Sequence, residues 1–457
     1  MSITNIALSG LNANRVALEV TAQNVANINT PGYSRQQAVH STVGGDIYAR
    51  LSPGSGVEVS SIRRISEQFL VQQTWLTNSL SGYSASFMNS MSQLENTLSA
   101  DGFSISSGLD TLFSSLNDAM VKPESIPYRQ QIINESKALT HRFHTLSESL
   151  NNQHIDINKQ QNAAISHANS LMSNIAHINK QVSEMQGSGG NSAQLMDARD
   201  ALIGELSQVM EIKEVAQPNG TVQITLPSGQ PLIIGSDAAM FKWAPNQANS
   251  EMTELNLEFG HSAFAIDSKV GGKLGALIDY QQNVLKPNQL ALGDMAKALA
   301  DEFNQVLQTG KDLNGDSGRA LFEYDASNPS ASIRVTNITP KELAFSQDGA
   351  PGNSDVLSAL IELSNKPVNV SGYGSLSLND AFTTMVGETA IKTRQASADM
   401  DAHQTMNKQA IAARDNVSAV NSDEEAANLM LFIQAHNANM KVISKANELF
   451  DSVLQLV

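Results

Sequence analysis

The chain has 457 residues, with 29 lysines and arginines against 45 aspartates and glutamates, a formal charge of −16, and no cysteine. That balance repels nucleic acid and anionic membranes, and the missing thiols exclude disulfides, thiolate catalysis and cysteine-ligated zinc or iron–sulfur sites. Few aromatics and abundant Ser, Asn, Gln and Ala suit long helices with thin, small-residue cores better than a compact enzyme.

No apolar run is long enough to span a bilayer, and no cation precedes Arg15, so a cleaved secretory signal is not expected. Leu8, Leu11, Leu18, Ala22 and Val25 recur at helical spacing and predict an amphipathic helix with a narrow seam, interrupted by Arg15. The helix runs into "NVANINTPGYSRQ". Asn24 and Asn27 share a face of its last turn, where amides can satisfy free carbonyls; Asn29 follows. Pro31 pushes Thr30 into an extended conformation, Gly32 supplies the positive φ of a type II turn, and Tyr33 closes the word.

A stretch rich in Gly, Ser and Val follows, and alternation at Val57 and Val59 reads as a strand. Helical periodicity resumes at Glu67 and continues through Leu98. The longest stripe holds one register from Leu139 through Phe143, Leu146, Leu150, Ile157, Leu171 and Ile175 to Val182 and Met185, a coiled-coil-like rod. "GSGGN" breaks it, and "SAQLMDARDALIGELSQVM" forms a further helix. Asn219-Gly220 and Ser228-Gly229 then punctuate alternating runs, the signature of a β-meander that "TELNLEF" and "SAFAI" extend. A helix spans about Leu274 to Leu307, loops and short strands fill roughly 311–350, and helices return to the end. There Leu429, Ile433, Met440, Ile443, Phe450 and Leu454 repeat a narrow seam like that of the N-terminus. Isolated helices are marginal in water, so the two ends need each other, a partner, or both.

Chemistry is hard to find. "DLNGDSGRALFE" places Asp312, Asn314, Asp316 and Glu323 at calcium-loop positions, but Ser317 stands where the loop needs glycine, and the stretch reads as a polar turn. His141, His144 and Glu148 share a helical face opposite the Leu139/Phe143/Leu146 stripe and read as a solvated face. No phosphate loop, GxGxxG or GxSxG word exists. No catalytic, cofactor-binding or metal-binding residue is assigned, and no cofactor is expected.

The stretch "SGLNANRVALEVTAQNVANINTPGYSRQ", opening at Ser9, resembles the signature of bacterial flagellar rod, hook and hook-associated proteins, and "GSGVEVSSIRRISEQFL" resembles the segment that follows it there. The words "AQLMDARDALIGELSQ", "NGTVQITLPSGQPLIIG", "VGGKLGALIDY" and "FNQVLQTGKDLNGDSGRALF" are similar to the hook-associated members at the hook–filament junction, as is the C-terminal segment from Val420.

The resemblance implies an α+β, mainly helical fold, with a long coiled-coil-like rod formed with both chain termini and a small β-rich domain inserted in the middle. Residues 1–60 and 420–457 are expected to form an inner-tube coiled coil, disordered in the free subunit. Residues 61–210, 269–310 and 353–419 would form a helical rod domain, and 211–268 with 311–352 a β-rich outer domain. It further implies a non-enzymatic structural subunit of the extracellular flagellum, exported by the flagellar secretion apparatus. The implied partners are copies of itself in a helical ring, hook protein, the next junction protein on the filament side, and an export chaperone at the C-terminal helix. Asn24, Asn27, Asn29, Pro31, Gly32 and Tyr33 carry the axial motif, and the two seams are the expected assembly surface. A hook or distal-rod subunit is the alternative within the family. A rod-associated peptidoglycan hydrolase needs two close carboxylates in a cleft, and a secreted adhesin needs an exposed aromatic patch.

Overall fold

The computed structural model describes residues 3–44, 54–245, 253–266 and 269–454; residues 45–53 of the Gly-rich stretch lie outside them. From the N-terminus run α1 (Ile3–Ala26), the antiparallel hairpin β1 (Gln36–Thr42) and β2 (Val57–Arg64), then α2 (Gln68–Leu98), α3 (Ile105–Ala119), the long α4 (Ile126–Gly187) and α5 (Ala193–Val209). Next come β3 (Lys213–Ala216), β4 (Val222–Thr225), β5 (Pro231–Ile234) and β6 (Asp237–Ala238), ordered β3-β4-β5-β6 in one antiparallel sheet. A second, three-stranded sheet holds β7 (Met240–Pro245), β8 (Thr253–Phe259) and β9 (Ser262–Ala265). Helices α6 (Gly272–Tyr280) and α7 (Lys286–Leu307) follow, then β10 (Phe322–Glu323), α8 (Pro329–Ser332), β11 (Arg334–Val335), α9 (Asp355–Glu362), the hairpin β12 (Val368–Val370) and β13 (Gly374–Leu376), α10 (Leu378–Ser418) and α11 (Ser422–Leu454). The mainly helical fold with small sheets in its middle is the expected one. The helix read from Leu274 to Leu307 contains a π-turn at Gln281–Leu285. Pro287 cannot donate a backbone hydrogen bond, and the turn just upstream accommodates the lost rung.

The chain divides into two compact units, Met1–Gly82 with Ile165–Gly272 and His403–Val457, and Tyr83–Ala164 with Lys273–Ala402. In the second unit Leu139, Phe143, Leu146 and Leu150 of α4 and Leu292, Met295, Leu299 and Phe303 of α7 are fully buried in one core. Phe303 meets Phe322 edge-on at 5.7 Å and Phe113 at 5.9 Å. In the first unit the four-stranded sheet is tied to helices by buried polar side chains. Arg199 of α5 donates to Asn179 Oδ1 at 3.2 Å and Gly220 O at 2.7 Å, while Asn179 of α4 donates to Val222 O and Gly235 O. Burial lowers the Arg199 pKa from its ordinary value.

This division corrects the one drawn from sequence. Residues 211–268 and 311–352 do not make a joint β-rich domain: the first segment falls in the first unit and the second in the other. The reason is tertiary. Asn304 of α7 donates to Phe322 O and accepts from the Leu321 and Phe322 amides, and buried Arg129 at the start of α4 donates to the carbonyls of Pro340 and Leu343. The guanidinium also stacks on Phe345 at 4.3 Å. Among the described residues no helix is long and apolar enough to cross a membrane.

Candidate functional site

The axial-motif turn closes as its chemistry requires: Gly32 has φ 79°, and the Tyr33 amide donates to Thr30 O at 3.2 Å. The asparagines differ in task. Asn27 Nδ2 donates to Gln23 O at 2.9 Å, satisfying a carbonyl of the last helical turn, and its Oδ1 accepts from the Thr30 hydroxyl. Asn24 instead reaches across to the start of β1. Its Nδ2 donates to Gln36 O, and its Oδ1 accepts from the Gln36 amide and the Tyr33 hydroxyl, each at 2.9 Å. One buried side chain thus copies a strand's hydrogen-bond pair and fixes where the chain goes after the helix. Asn29 and Pro31 lie exposed and are not drawn into this network.

Beneath the turn is a charged cluster that sequence reading missed. Asp197 of α5 is 9% exposed; its Oδ2 accepts from the Ser34 amide at 3.4 Å, and its Oδ1 lies 3.5 Å from Arg64 Nε. The second distance permits attraction without an aligned hydrogen bond, which leaves that oxygen enclosed and unpaired. Arg64 also pairs with Asp200, one helical turn on, and Arg35 pairs with Glu424 at the start of α11. Burial pushes the Asp197 carboxyl up to about 6, against the pull of Arg64 and Ser34. Burial, then the charges of Asp197 and Glu425, push the Tyr33 phenol up to about 12. The available signal was the pair of acids at i and i+3 in "LMDARD" on an otherwise amphipathic helix.

The two terminal helices pack on each other within the first unit, so they are formed and paired in the structure, where disorder of the free ends was expected. They do not meet through the predicted seams. The face α1 buries is Ala7, Gly10, Ala13, Ala17, Val20, Thr21 and Asn24. On α11 the shielded positions are Glu425, Asn428, Phe432, Ala435, His436, Asn439, Ile443 and Ala446. A Cβ on Gly10 would come within 2.8 Å of Asn439 Nδ2, so the helices approach through small residues. Leu8 and Val25 are left exposed, Leu11 and Leu18 half-covered, and Ala22 outside. Of the C-terminal seam only Ile443 is half-buried; Leu429, Ile433, Met440, Phe450 and Leu454 face outward, Phe450 65% exposed. Close packing of alanine and glycine displaces the leucines onto the neighbouring face, where they form an unpartnered apolar stripe.

Residues 91–322 match the family described as the flagellar hook-associated protein FlgK helical domain. The chain belongs to the FlgK family. Residues 5–33 match the flagella basal body rod protein family, and 414–456 the C-terminal family of the flagellar basal body rod FlgEFG proteins. The chain is 26% identical over 548 residues to flagellar hook-associated protein 1 of Escherichia coli (strain K12), with both chains covered in full. It is 28% identical over 492 residues to the Bacillus subtilis (strain 168) protein of the same name, covering 98% of this chain and 96% of that one. Its fold is similar to the flagellar hook junction protein FlgK from Burkholderia pseudomallei, with TM-score 0.68 at 14% identity over 76% of this chain and all of the other.

The two rod-family segments of this FlgK-family chain are the ones whose helices pair, α1 with its turn and α11. Asp197, which accepts from the Ser34 amide, and Asp200, which pairs with Arg64, lie within the FlgK helical domain. The remaining sequence candidates lie apart from this site. Asp312 Oδ1 accepts from the Asn314 and Asp316 amides at 2.8 and 2.9 Å, folding the loop on itself, while Glu323 pairs with Arg334 at 2.8 Å. His141 and Glu148 are exposed, but His144 turns partly inward with Nε2 enclosed and unpaired. Among the described residues no three His, Asp or Glu side chains gather as a metal would need.

Proposed function

We propose that this chain is a structural, non-catalytic subunit of the bacterial flagellum that joins the hook to the filament and is needed for the filament to assemble. The observation that carries it is the outward apolar stripe of the paired terminal helices, Leu429, Ile433, Met440, Phe450 and Leu454, in a chain of the FlgK family. A free soluble protein gains nothing from such a stripe; a subunit whose neighbours cover it does. In this reading α1 and α11 line the inner tube of a ring of copies, and the two faces of each helix divide the labour. The small-residue face pairs the helices within a subunit, and the leucine face meets adjacent subunits. Hook protein and the next junction protein bound the ring on its two sides. The chain reaches the cell exterior through the flagellar secretion apparatus without a cleaved signal, its C-terminal helix first held by an export chaperone that shields the same stripe.

The test is a strain lacking this chain. It is expected to build hooks but shed filament subunits into the medium, and to regain filaments when the chain is supplied. A deletion strain with normal filaments would overturn the reading.

A further inference from the structure

A cavity of about 300 Å³ lies in the first unit under the axial-motif turn. Gly32 and Tyr33 form its roof, Trp75 of α2 and Gly204 of α5 its floor, and Arg414 of α10 one side. Trp75 is 7% exposed, yet its indole N–H has no hydrogen-bond partner among the described residues. Its neighbour Asn78 has its amide committed to Gly204 O at 3.3 Å and Ser207 Oγ at 3.2 Å. A Cβ built on Gly204 would lie 3.8 Å from the indole nitrogen and meet nothing nearer. Glycine within a helix costs stability, and here it leaves open the space in front of an N–H that has no partner among the described residues. The cationic side chains around the cavity are already matched, Arg64 with Asp200 and Arg414 with Asp415, and the Glu205 carboxylate adds negative charge to its lining. A neutral acceptor therefore fits this space better than an anion.

We propose that the cavity receives an uncharged carbonyl group, a side-chain amide or a main-chain peptide, from a second copy of this chain, and that Trp75 donates its N–H to it. This rests on the assembly reading above. A second copy is the occupant because of whose walls these are. The roof belongs to the rod-family segment 5–33 and the side to the segment 414–456, the two segments shared with axial proteins, while Gly204 belongs to the FlgK helical domain. A group seated there touches all three at once, and a ring of identical chains presents one such group to every cavity.

The test uses the full-length chain with Trp243→Phe, which leaves Trp75 as its one tryptophan. Acrylamide quenching of Trp75 is expected to fall severalfold when the chain passes from dilute subunit to assembled form; unchanged quenching would overturn the proposal. In the deletion strain, Gly204→Leu fills the cavity and is expected to be secreted with the parent's melting temperature but to restore no filaments. Trp75→Phe keeps a ring and removes only the donor, and is expected to lower filament number; it decides the matter should Gly204→Leu lower the melting temperature. Full filament restoration by Trp75→Phe, or by a stably folded Gly204→Leu chain, removes the cavity proposal alone. Failure of the unsubstituted chain to restore filaments removes both it and the assembly reading.

Discussion

The core of the second unit and the pair of terminal helices are built from the same kind of element by opposite means. Around α4 and α7 alanines such as Ala291, Ala296 and Ala300 are buried beside many large Leu, Phe, Met and Ile side chains, and each large one carries enough apolar surface to contribute about 1.5–3 kcal/mol when withdrawn from water. Between α1 and α11 the buried residues are mostly Ala, Gly, Thr and Asn, which bury little area but let two backbones come close. Most large side chains of the terminal helices, Leu8, Val25, Leu429, Ile433, Met440 and Phe450 among them, point the other way, into solvent. One region spends its hydrophobic surface on its own fold. The other leaves it uncovered within the subunit, where the proposed assembly would use it. Thin internal packing has a second consequence: the terminal pair belongs at the low end of local stability, where helices can be opened at little cost.

The comparison is tested most severely in the core. Phe303→Ala should cost about 3–5 kcal/mol, because it deletes a ring fully enclosed between Phe113 and Phe322 and leaves a cavity the surrounding helices cannot close. Thermal unfolding of the free chain should show the loss. A loss comparable to that of an exposed-site change would mean that this core is no denser than the terminal pair.

The next effect is electrostatic and lies in the first unit. Asp197 has a folded-state pKa of about 6, raised from 3.8 in the unfolded chain, so the folded form binds a proton more tightly. Its stabilising contribution is complete below the unfolded value and is lost as pH rises through the folded one. By linkage, the difference between pH 4 and pH 7 amounts to about 3 kcal/mol at most. Urea unfolding between those limits should therefore show the parent losing more stability with rising pH than Asp197→Asn, whose side chain does not titrate. Parallel pH profiles would show that Asp197 is not the buried acid described above.

The sequence disclosed the first region better than the second, for a physical reason. Wherever burial uses large side chains, periodicity reports it: the register from Leu139 to Val182 is the buried face of α4 at nearly every position. The turns at Gly220 and Gly229 were likewise local, set by residues adjacent in sequence. On α1 the same logic found the leucine face and missed the one that the subunit itself buries. A hydrophobicity pattern assumes that leucines are inside and gives alanines no weight, while Ala7, Ala13 and Ala17 are the buried residues. The motif turn was legible, but its anchor was not. Asp197 and Ser34 stand 163 positions apart, and no spacing rule connects them. The grouping of residues 311–352 with the second unit was hidden in the same way, because Asn304 and Arg129 recognise main-chain carbonyls and amides, which every sequence offers.

The smallest expected effect on the free subunit is the most informative about function. Ile433 lies on the outward face of α11, 42% exposed, beside Leu429 and Met440. In the isolated chain Ile433→Glu places a carboxylate in water on an exposed helical face, and stability should stay within about 0.5 kcal/mol of the parent. In a ring of copies the same carboxylate would sit in a dry helix interface without a partner. Burying an uncompensated charge costs on the order of several kcal/mol, and in a ring that cost recurs in every subunit. The variant should therefore melt with the parent, appear in the culture medium, and fail to join filament to hook. Each departure has its own meaning. A lowered melting temperature in the free chain would place Ile433 in the subunit's own core and reverse the contrast between the two faces. Retention inside the cell would mean that this stripe is read chiefly before export, by a chaperone. Normal filaments would mean that neighbouring subunits do not cover the stripe at all, leaving the small-residue face as the only one with a structural task.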